Sequence, residues 1–127
     1  MKRIISTVLA ILFLLSGLAF AQQKGKICVA AKEKGVASTV SDKAGLAPYF
    51  LIYDEKGKMT EAIANPYIDK EGAGKAVAEL LKNKGVTVVV AQEFGGQIAE
   101  VMKSKGIKTV AFKGSATEAV KKVLQTK

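Results

Sequence analysis

A Lys-Gly dipeptide precedes each of three short apolar runs, and this repeat constrains the fold more than any other feature of the chain. The three segments cover residues 24–30, 84–91 and 105–112, and the runs are rich in β-branched residues. Helical patterns at 79–83 and 100–104 carry a lysine in the last turn and are followed by two of these glycines, which is typical of helix C-termini. Continuous apolar strands that alternate with helices predict a parallel sheet covered on both faces.

A hairpin pattern interrupts this alternation between the first strand and the first helix. Residues 49–54 and 59–64 have strand character, and the turn residues Glu55-Lys56-Gly57-Lys58 separate them. Two strands joined this way are antiparallel. Short connections and right-handed crossovers then predict a five-stranded mixed sheet of order 3-2-1-4-5, with strand 2 antiparallel and three helices. This is a ribonuclease H-like, three-layer α/β fold, and the architecture alone says nothing about activity.

The three predicted helices each have one apolar stripe that would pack on the sheet. The stripes consist of Ala73, Val77, Leu80 and Leu81, of Ile98, Val101 and Met102, and of Ala119, Val120, Val123 and Leu124. The last helix also starts with Ser115-Ala116-Thr117-Glu118, a capping box in which the serine and the glutamate satisfy the first amides.

The first residues of the chain have the pattern of an export signal. Lys2 and Arg3 precede an uncharged apolar run over residues 4–18, and Ala19-Phe20-Ala21 follows it. Small residues at both ends of this tripeptide predict cleavage before Gln22. The apolar run is shorter than the ~20 residues that span a bilayer, so we expect no membrane anchor after cleavage.

We therefore predict a signal peptide over residues 1–21 and a single domain over residues 22–127, located in the periplasm or secreted. The remaining length suits one domain and not two. The chain has one cysteine, Cys28, so no disulfide can form within it. Because Cys28 lies in a buried-strand pattern, a core role is favoured over a reactive thiol or a metal ligand.

The chain is strongly basic and contains no histidine, which narrows the classes of function. Its net charge is +9, and every basic residue after Arg3 is a lysine. This charge favours anionic partners, but without arginine we expect no nucleic-acid partner. The absence of histidine removes the commonest zinc ligand and general base, so we expect no catalytic residue and no metal-ligating residue.

The predicted topology brings two loops together where a ligand would bind. Ligands of open α/β sheets lie beyond the carboxyl ends of the parallel strands, between strands whose connections diverge. Loop 32–48 carries Lys32 and Lys43, and the second loop ends in Gly95-Gly96 at a helix start. No capping side chain occurs at these glycines, so free amides and the helix dipole would suit an anion. The alternative is a tight turn with water on the amides, and the neighbouring Glu93 counts against a simple anion site.

Residues 40–54, Val-Ser-Asp-Lys-Ala-Gly-Leu-Ala-Pro-Tyr-Phe-Leu-Ile-Tyr-Asp, resemble the signature of the dinitrogenase iron–molybdenum cofactor biosynthesis family. This family includes NifX, NafY and the C-terminal part of NifB. The order and spacing of further motifs agree with it over residues 26–124. These motifs are Asn65-Pro66, Gly72-Ala73-Gly74, the run 86–91, Gly95-Gly96 and Gly106-Ile107-Lys108.

The resemblance implies a ribonuclease H-like fold that binds or carries metal–sulfur clusters, especially molybdenum-containing ones, without catalysis. Family members often have His-Phe-Gly-Arg in the long loop, where this chain has Lys43-Ala44-Gly45-Leu46. The histidine that could ligate a metal is therefore missing. Lys43 would instead attract an anionic cluster by charge and hydrogen bonds.

We therefore predict an exported, non-catalytic carrier of an anionic molybdenum- or iron-containing sulfur cluster, held non-covalently, or of a related oxyanion. The expected site consists of Lys43, Gly45, Gly95 and Gly96, with Lys32 as a supporting charge. The alternative is a periplasmic module of the same fold that has lost cluster binding and binds a protein partner. A nuclease is disfavoured, because strand 1 offers Cys28 and Ala30 where a metal-binding carboxylate would be needed. Export itself argues against a direct role in nitrogenase maturation.

Overall fold

A computed structural model describes residues 25–68 and 72–125. The predicted signal peptide over residues 1–21 lies outside these ranges. Within them, no helix is both long enough and apolar enough to cross a bilayer. The elements are β1 (Lys26–Ala31), β2 (Tyr49–Tyr53), β3 (Met59–Ala64), α1 (Ala73–Asn83), β4 (Val86–Ala91), α2 (Gly96–Ser104), β5 (Lys108–Ala111) and α3 (Ala116–Gln125).

The five strands form one sheet of order β3-β2-β1-β4-β5, which confirms the predicted topology. Strand β1 lies at the centre, antiparallel to β2 and parallel to β4. Strand β2 is also antiparallel to β3, whereas β4 and β5 are parallel. The hairpin and the crossover helices thus place the strands in the order that the sequence pattern predicts.

Both faces of the sheet are covered, so the predicted three layers are confirmed. Helices α1 and α2 pack on one face and α3 packs on the other. The residues that α1 and α2 bury there are Val77, Ala78, Leu81, Ile98 and Met102. On the opposite face, α3 buries Ala116, Ala119, Val120 and Val123.

Cys28 lies in the middle of the first of these two cores. It is 0% exposed and pairs with Ile52 on one side and Val89 on the other. Burial raises the pKa of its thiol, because the thiolate would lose its hydration. The prediction that Cys28 is a core residue is confirmed.

The predicted capping box at the start of α3 is also confirmed. The Glu118 amide donates to Ser115 Oγ over 3.2 Å, and the Ser115 amide donates to Glu118 Oε1 over 3.3 Å. This reciprocal pair satisfies amides that the first turn of a helix otherwise leaves without partners. The capped N-terminus of α3 can therefore be compared with the N-termini of α1 and α2.

Asp54 holds the turn of the β2–β3 hairpin. Its Oδ1 accepts hydrogen bonds from the amides of Lys58 and Lys56, each over 2.9 Å. The bond from Lys58, supported by the one from Lys56, lowers the pKa of Asp54 below its ordinary value of 3.8. Within this turn Gly57 has a φ of +89°, which favours glycine.

The turn is expected to lose its carboxylate support in acid. A group whose pKa is lower in the folded state stabilises that state above its unfolded pKa, and this stability disappears as the pH falls through the folded pKa. The difference in unfolding free energy between the wild type and Asp54→Ala should therefore be largest near neutrality and shrink below about pH 4. Urea unfolding at several pH values measures it. Asp54→Asn keeps an acceptor oxygen but also lacks the titrating carboxyl, so it should cost less stability than Asp54→Ala at neutrality while its difference from the wild type shrinks over the same pH range. A difference that stays constant with pH for both variants would contradict the assignment.

Candidate functional site

The long loop between β1 and β2, residues 32–48, is held against the loop that follows β4. The Glu93 amide donates to the Asp42 carbonyl over 2.8 Å, and the Ala44 amide donates to the Glu93 carbonyl over 3.2 Å. Lys43 lies between these two bonds, opposite Glu93. The predicted meeting of the two loops at the carboxyl ends of the parallel strands is therefore present, and backbone hydrogen bonds fix it.

A buried asparagine after β3 fixes the next part of the same loop. Asn65 is 7% exposed, and its Nδ2 donates to the carbonyls of Gly45 over 3.2 Å and Ala47 over 2.9 Å. Its Oδ1 accepts from the Tyr67 amide over 2.9 Å. One side chain thus connects the loop to the segment after the hairpin and holds Gly45 in place.

Two helices on one face of the sheet begin at the place that this loop borders. Neither α1, with Gly72 as N-cap, nor α2, with Gly95 as N-cap, has a side-chain hydrogen bond to its first turn. Neither has an acidic residue in that turn, in contrast to α3 with Glu118. The first turns of both helices therefore contain no negative side chain, and the positive ends of their dipoles lie at the same edge of the sheet.

The glycines at the start of α2 are required neither by the backbone nor by packing. Gly95 has a φ of −58° and a ψ of 154°, which any residue can adopt. A Cβ atom at Gly95 or at Gly96 would meet nothing within 4 Å. The missing side chains therefore leave open space in front of the α2 amides.

The other two glycines of the site allow close packing around Ile98. A Cβ at Gly74 would lie 3.4 Å from Ile98 Cβ, and one at Gly45 would lie 3.4 Å from Ile98 Cδ1. Both separations lie at the lower limit of ordinary van der Waals contact, so α1 and the loop lie close to α2 at these glycines. The 6% exposed Ile98 forms the apolar floor between them.

These elements enclose an open cleft of about 360 Å³. Four of the five predicted site residues, Lys43, Gly45, Gly95 and Gly96, line it together. The other lining residues, none of them a predicted site residue, are Leu46, Ala73, Gly74, Gln97 and Ile98. The Gly72-Ala73-Gly74 motif was available as a signal, but only the fold shows that the start of α1 faces the start of α2.

The structure does not bring Lys32, the fifth predicted residue, to the lining of this cleft. Its Nζ lies 3.6 Å from Asp42 Oδ1, and both side chains are largely exposed. An exposed pair of this kind is worth about 0–1 kcal/mol. Lys32 thus contributes at most a screened, partly neutralised charge near the loop.

Hydrogen-bond donors and one positive charge lie beside the mainly apolar lining of the cleft. They comprise the first amides of α1 and α2 and the Lys43 ammonium. Over residues 25–68 and 72–125, no group of three or more His, Cys, Asp or Glu side chains could hold a metal ion. Such a donor set suits an anion that is bound through its outer oxygen or sulfur atoms.

The model of the dinitrogenase iron–molybdenum cofactor family matches residues 25–126, which is most of the chain. The chain belongs to this family. The match includes every element of the fold and every residue of the cleft. No curated protein matches the sequence significantly.

Solved structures agree with this family assignment at the level of the fold. The apo orange protein from Desulfovibrio gigas is 24% identical with a TM-score of 0.73, over 80% of this chain and 88% of that one. A provisionally assigned NifB protein from Thermotoga is 28% identical with a TM-score of 0.68, again over 80% and 88%. A provisionally assigned dinitrogenase from Methanocaldococcus jannaschii is 11% identical with a TM-score of 0.58, over 81% and 90%.

Proposed function

We propose that the protein is an exported, non-catalytic carrier that binds an anionic metal–sulfur cluster containing molybdenum or iron, or a related oxyanion, in this cleft. One observation carries the proposal: two helices without N-terminal side-chain caps begin at a single cleft in a member of the dinitrogenase iron–molybdenum cofactor family. The export part rests on the sequence pattern of residues 1–21.

The chemistry of the cleft favours an anion held without coordination by the protein. Each helix N-terminus carries about half a positive elementary charge, and its free amides point toward the ligand. Lys43 adds a full positive charge on the loop that borders both helices. Hydrogen bonds between charged groups and donors are worth about 1.5–3 kcal/mol each, so a few of them suffice for useful affinity.

The size and rigidity of the cleft also suit a compact inorganic anion. Its volume of about 360 Å³ lies at the lower end of the range of about 300–1,000 Å³ for small-ligand sites. The backbone hydrogen bonds of Glu93 with Asp42 and Ala44, together with the Asn65 side-chain bonds, fix the loop before any ligand binds. A preformed site loses less conformational entropy on binding, which favours affinity.

Tetrathiomolybdate is a suitable probe because it is an anion with sulfur atoms on its surface. We expect it to raise the melting temperature of the protein, since a ligand that prefers the folded state stabilises that state. Lys43→Gln should weaken binding about tenfold, because it removes one charged donor. Lys34→Gln provides a matched control, since Lys34 is an exposed lysine of the same loop that does not line the cleft.

Thermal unfolding and isothermal titration measure these effects, with molybdate and sulfate as further anions. If tetrathiomolybdate leaves the melting temperature unchanged, the carrier function is wrong and the protein-interaction module becomes the better hypothesis. Elemental analysis for Mo, Fe and Cu of protein purified from its native cells tests the cargo directly. A mature N-terminus at Gln22 in the exported fraction would support the predicted cleavage.

A further inference from the structure

The opposite face of the sheet has a second cleft, which the proposed function does not use. Of the helices in the described ranges, α3 alone packs on this face, and the cleft lies between α3 and the β2–β3 hairpin. It also measures about 360 Å³, within the usual range of about 300–1,000 Å³ for small-molecule sites. Its walls are mainly apolar and include Met59, Val120 and Leu124.

Tyr53 lines this cleft and carries a polar group that the fold does not satisfy. The residue is 2% exposed, and its hydroxyl has no hydrogen-bond partner among the described residues. A buried hydroxyl without a partner is costly, so each such group calls for an explanation. Burial, with a smaller contribution from Cys28, raises the pKa of Tyr53, so the hydroxyl stays protonated and able to donate at neutral pH.

The hairpin turn closes one end of the cleft against α3. A Cβ at Gly57 would lie 3.0 Å from Leu124 Cδ1 and 3.5 Å from Val120 Cγ1. The Asp54 hydrogen bonds hold the same turn in its conformation. The cleft is therefore a built feature of the fold, with the flexible side chain of Met59 as its most adaptable wall.

Two lysines provide positive charge beside the apolar walls. Lys56 belongs to the hairpin turn and Lys121 to α3, so they border the cleft from different elements. Both are exposed, and neither forms an ion pair with any residue in the described ranges. Because Lys56, Lys121 and the Tyr53 hydroxyl are all donors, a complementary ligand supplies acceptors.

We propose that this cleft binds a small amphipathic acid. Its carboxylate would contact Lys56 and Lys121, its apolar body would lie against Met59 and Val120, and an oxygen at the far end would accept a hydrogen bond from Tyr53. This inference does not rest on the anion cleft, which lies on the other face of the sheet. An aromatic acid with a phenolic oxygen is a suitable probe class.

Three matched compounds test the proposal: 4-hydroxycinnamate, cinnamate and cinnamamide. Titration calorimetry on the full domain is expected to show that both acids bind more tightly than the neutral amide. The phenolic oxygen should add about a fivefold gain over cinnamate, the usual effect of one hydrogen bond. Tyr53→Phe should abolish this gain while leaving cinnamate binding unchanged.

The variants separate a binding role from a structural one. Tyr53→Phe should keep or raise the melting temperature, because it removes a polar group without a partner. A loss of the preference for 4-hydroxycinnamate over cinnamate in this variant therefore cannot reflect unfolding. Lys56→Gln and Lys121→Gln should each weaken both acids severalfold. Lys122→Gln is the matched control, since Lys122 Nζ lies 5.5 Å from the centre of the Phe112 ring and does not line this cleft.

Two results would overturn the proposal: no heat of binding for any of the three compounds at millimolar concentration, or an unchanged preference for 4-hydroxycinnamate in Tyr53→Phe. Tetrathiomolybdate binding is expected to be the same in Tyr53→Phe and in the wild type. A failure of this second site is therefore distinguishable from a failure of the anion site.

Discussion

Replacing Gly95 by aspartate is expected to stabilise the protein and at the same time to weaken anion binding at the cleft strongly. Aspartate is among the best N-cap residues, and the backbone at Gly95 already has the extended geometry of an N-cap. A side chain there meets no neighbour within 4 Å. A negative charge at the helix start adds about 0.3–1 kcal/mol, which corresponds to a melting temperature a few degrees higher.

The same carboxylate would occupy the position of the ligand and repel it. Two like charges at about 5 Å, at an effective dielectric constant of about 20, interact with ~3 kcal/mol, and salt reduces this at an exposed site. We therefore expect tetrathiomolybdate affinity to fall by about 10- to 100-fold. Gly95→Asn is the matched control, because it has the same shape and also caps the helix but has no charge. It should stabilise the protein and weaken binding much less.

Thermal unfolding and titration calorimetry of the same samples give both readouts. An increase in stability together with undiminished affinity in Gly95→Asp would show that the anion does not bind at the start of α2. A decrease in stability would show that the glycine is needed for the backbone, contrary to the observed dihedral angles. Because Gly95→Asp should raise the stability and lower the anion affinity, the loss of binding cannot be attributed to unfolding.

The sequence was sufficient for the topology because its signals are local and repeated. Each of the three Lys-Gly dipeptides that precede an apolar run marks the end of a helix or the start of a strand, and the hairpin turn after Asp54 identifies the antiparallel pair. Once the order of elements is known, handedness and short connections leave few arrangements. The position of the anion cleft then follows from the topology, since loops 32–48 and 92–95 must meet at the central strands.

Other features depend on contacts between distant segments, which a single sequence does not reveal. The convergence of α1 with α2 places Gly74 against Ile98. Lys32, a predicted site residue, lies beside Asp42 and does not line the cleft, and nothing in the local pattern indicates this position. The unsatisfied hydroxyl of Tyr53 depends on the packing around the end of β2, because alternation along a strand predicts burial but not hydrogen-bond partners.

Asn65 is expected to be the polar residue whose loss affects both stability and binding most. It makes three hydrogen bonds, to Gly45, Ala47 and Tyr67, and it is 7% exposed. Removing it leaves two carbonyls and one amide without these partners in a mostly buried place. At about 0.5–1.5 kcal/mol for each bond, Asn65→Ala should lower the unfolding free energy by about 2–4 kcal/mol.

The functional effect follows from the position of Gly45, because the Asn65 bond holds this residue at the edge of the anion cleft. A loop released from this bond must be ordered again on binding, so tetrathiomolybdate affinity should fall severalfold although Asn65 does not line the cleft. Asn83→Ala is the matched control, since Asn83 is an exposed asparagine at the end of α1. For this control, urea unfolding and titration calorimetry should show changes of no more than about 0.5 kcal/mol in the free energies of unfolding and of binding. Equal effects of the two substitutions would contradict the role of Asn65, because only the buried side chain connects the loop to the hairpin.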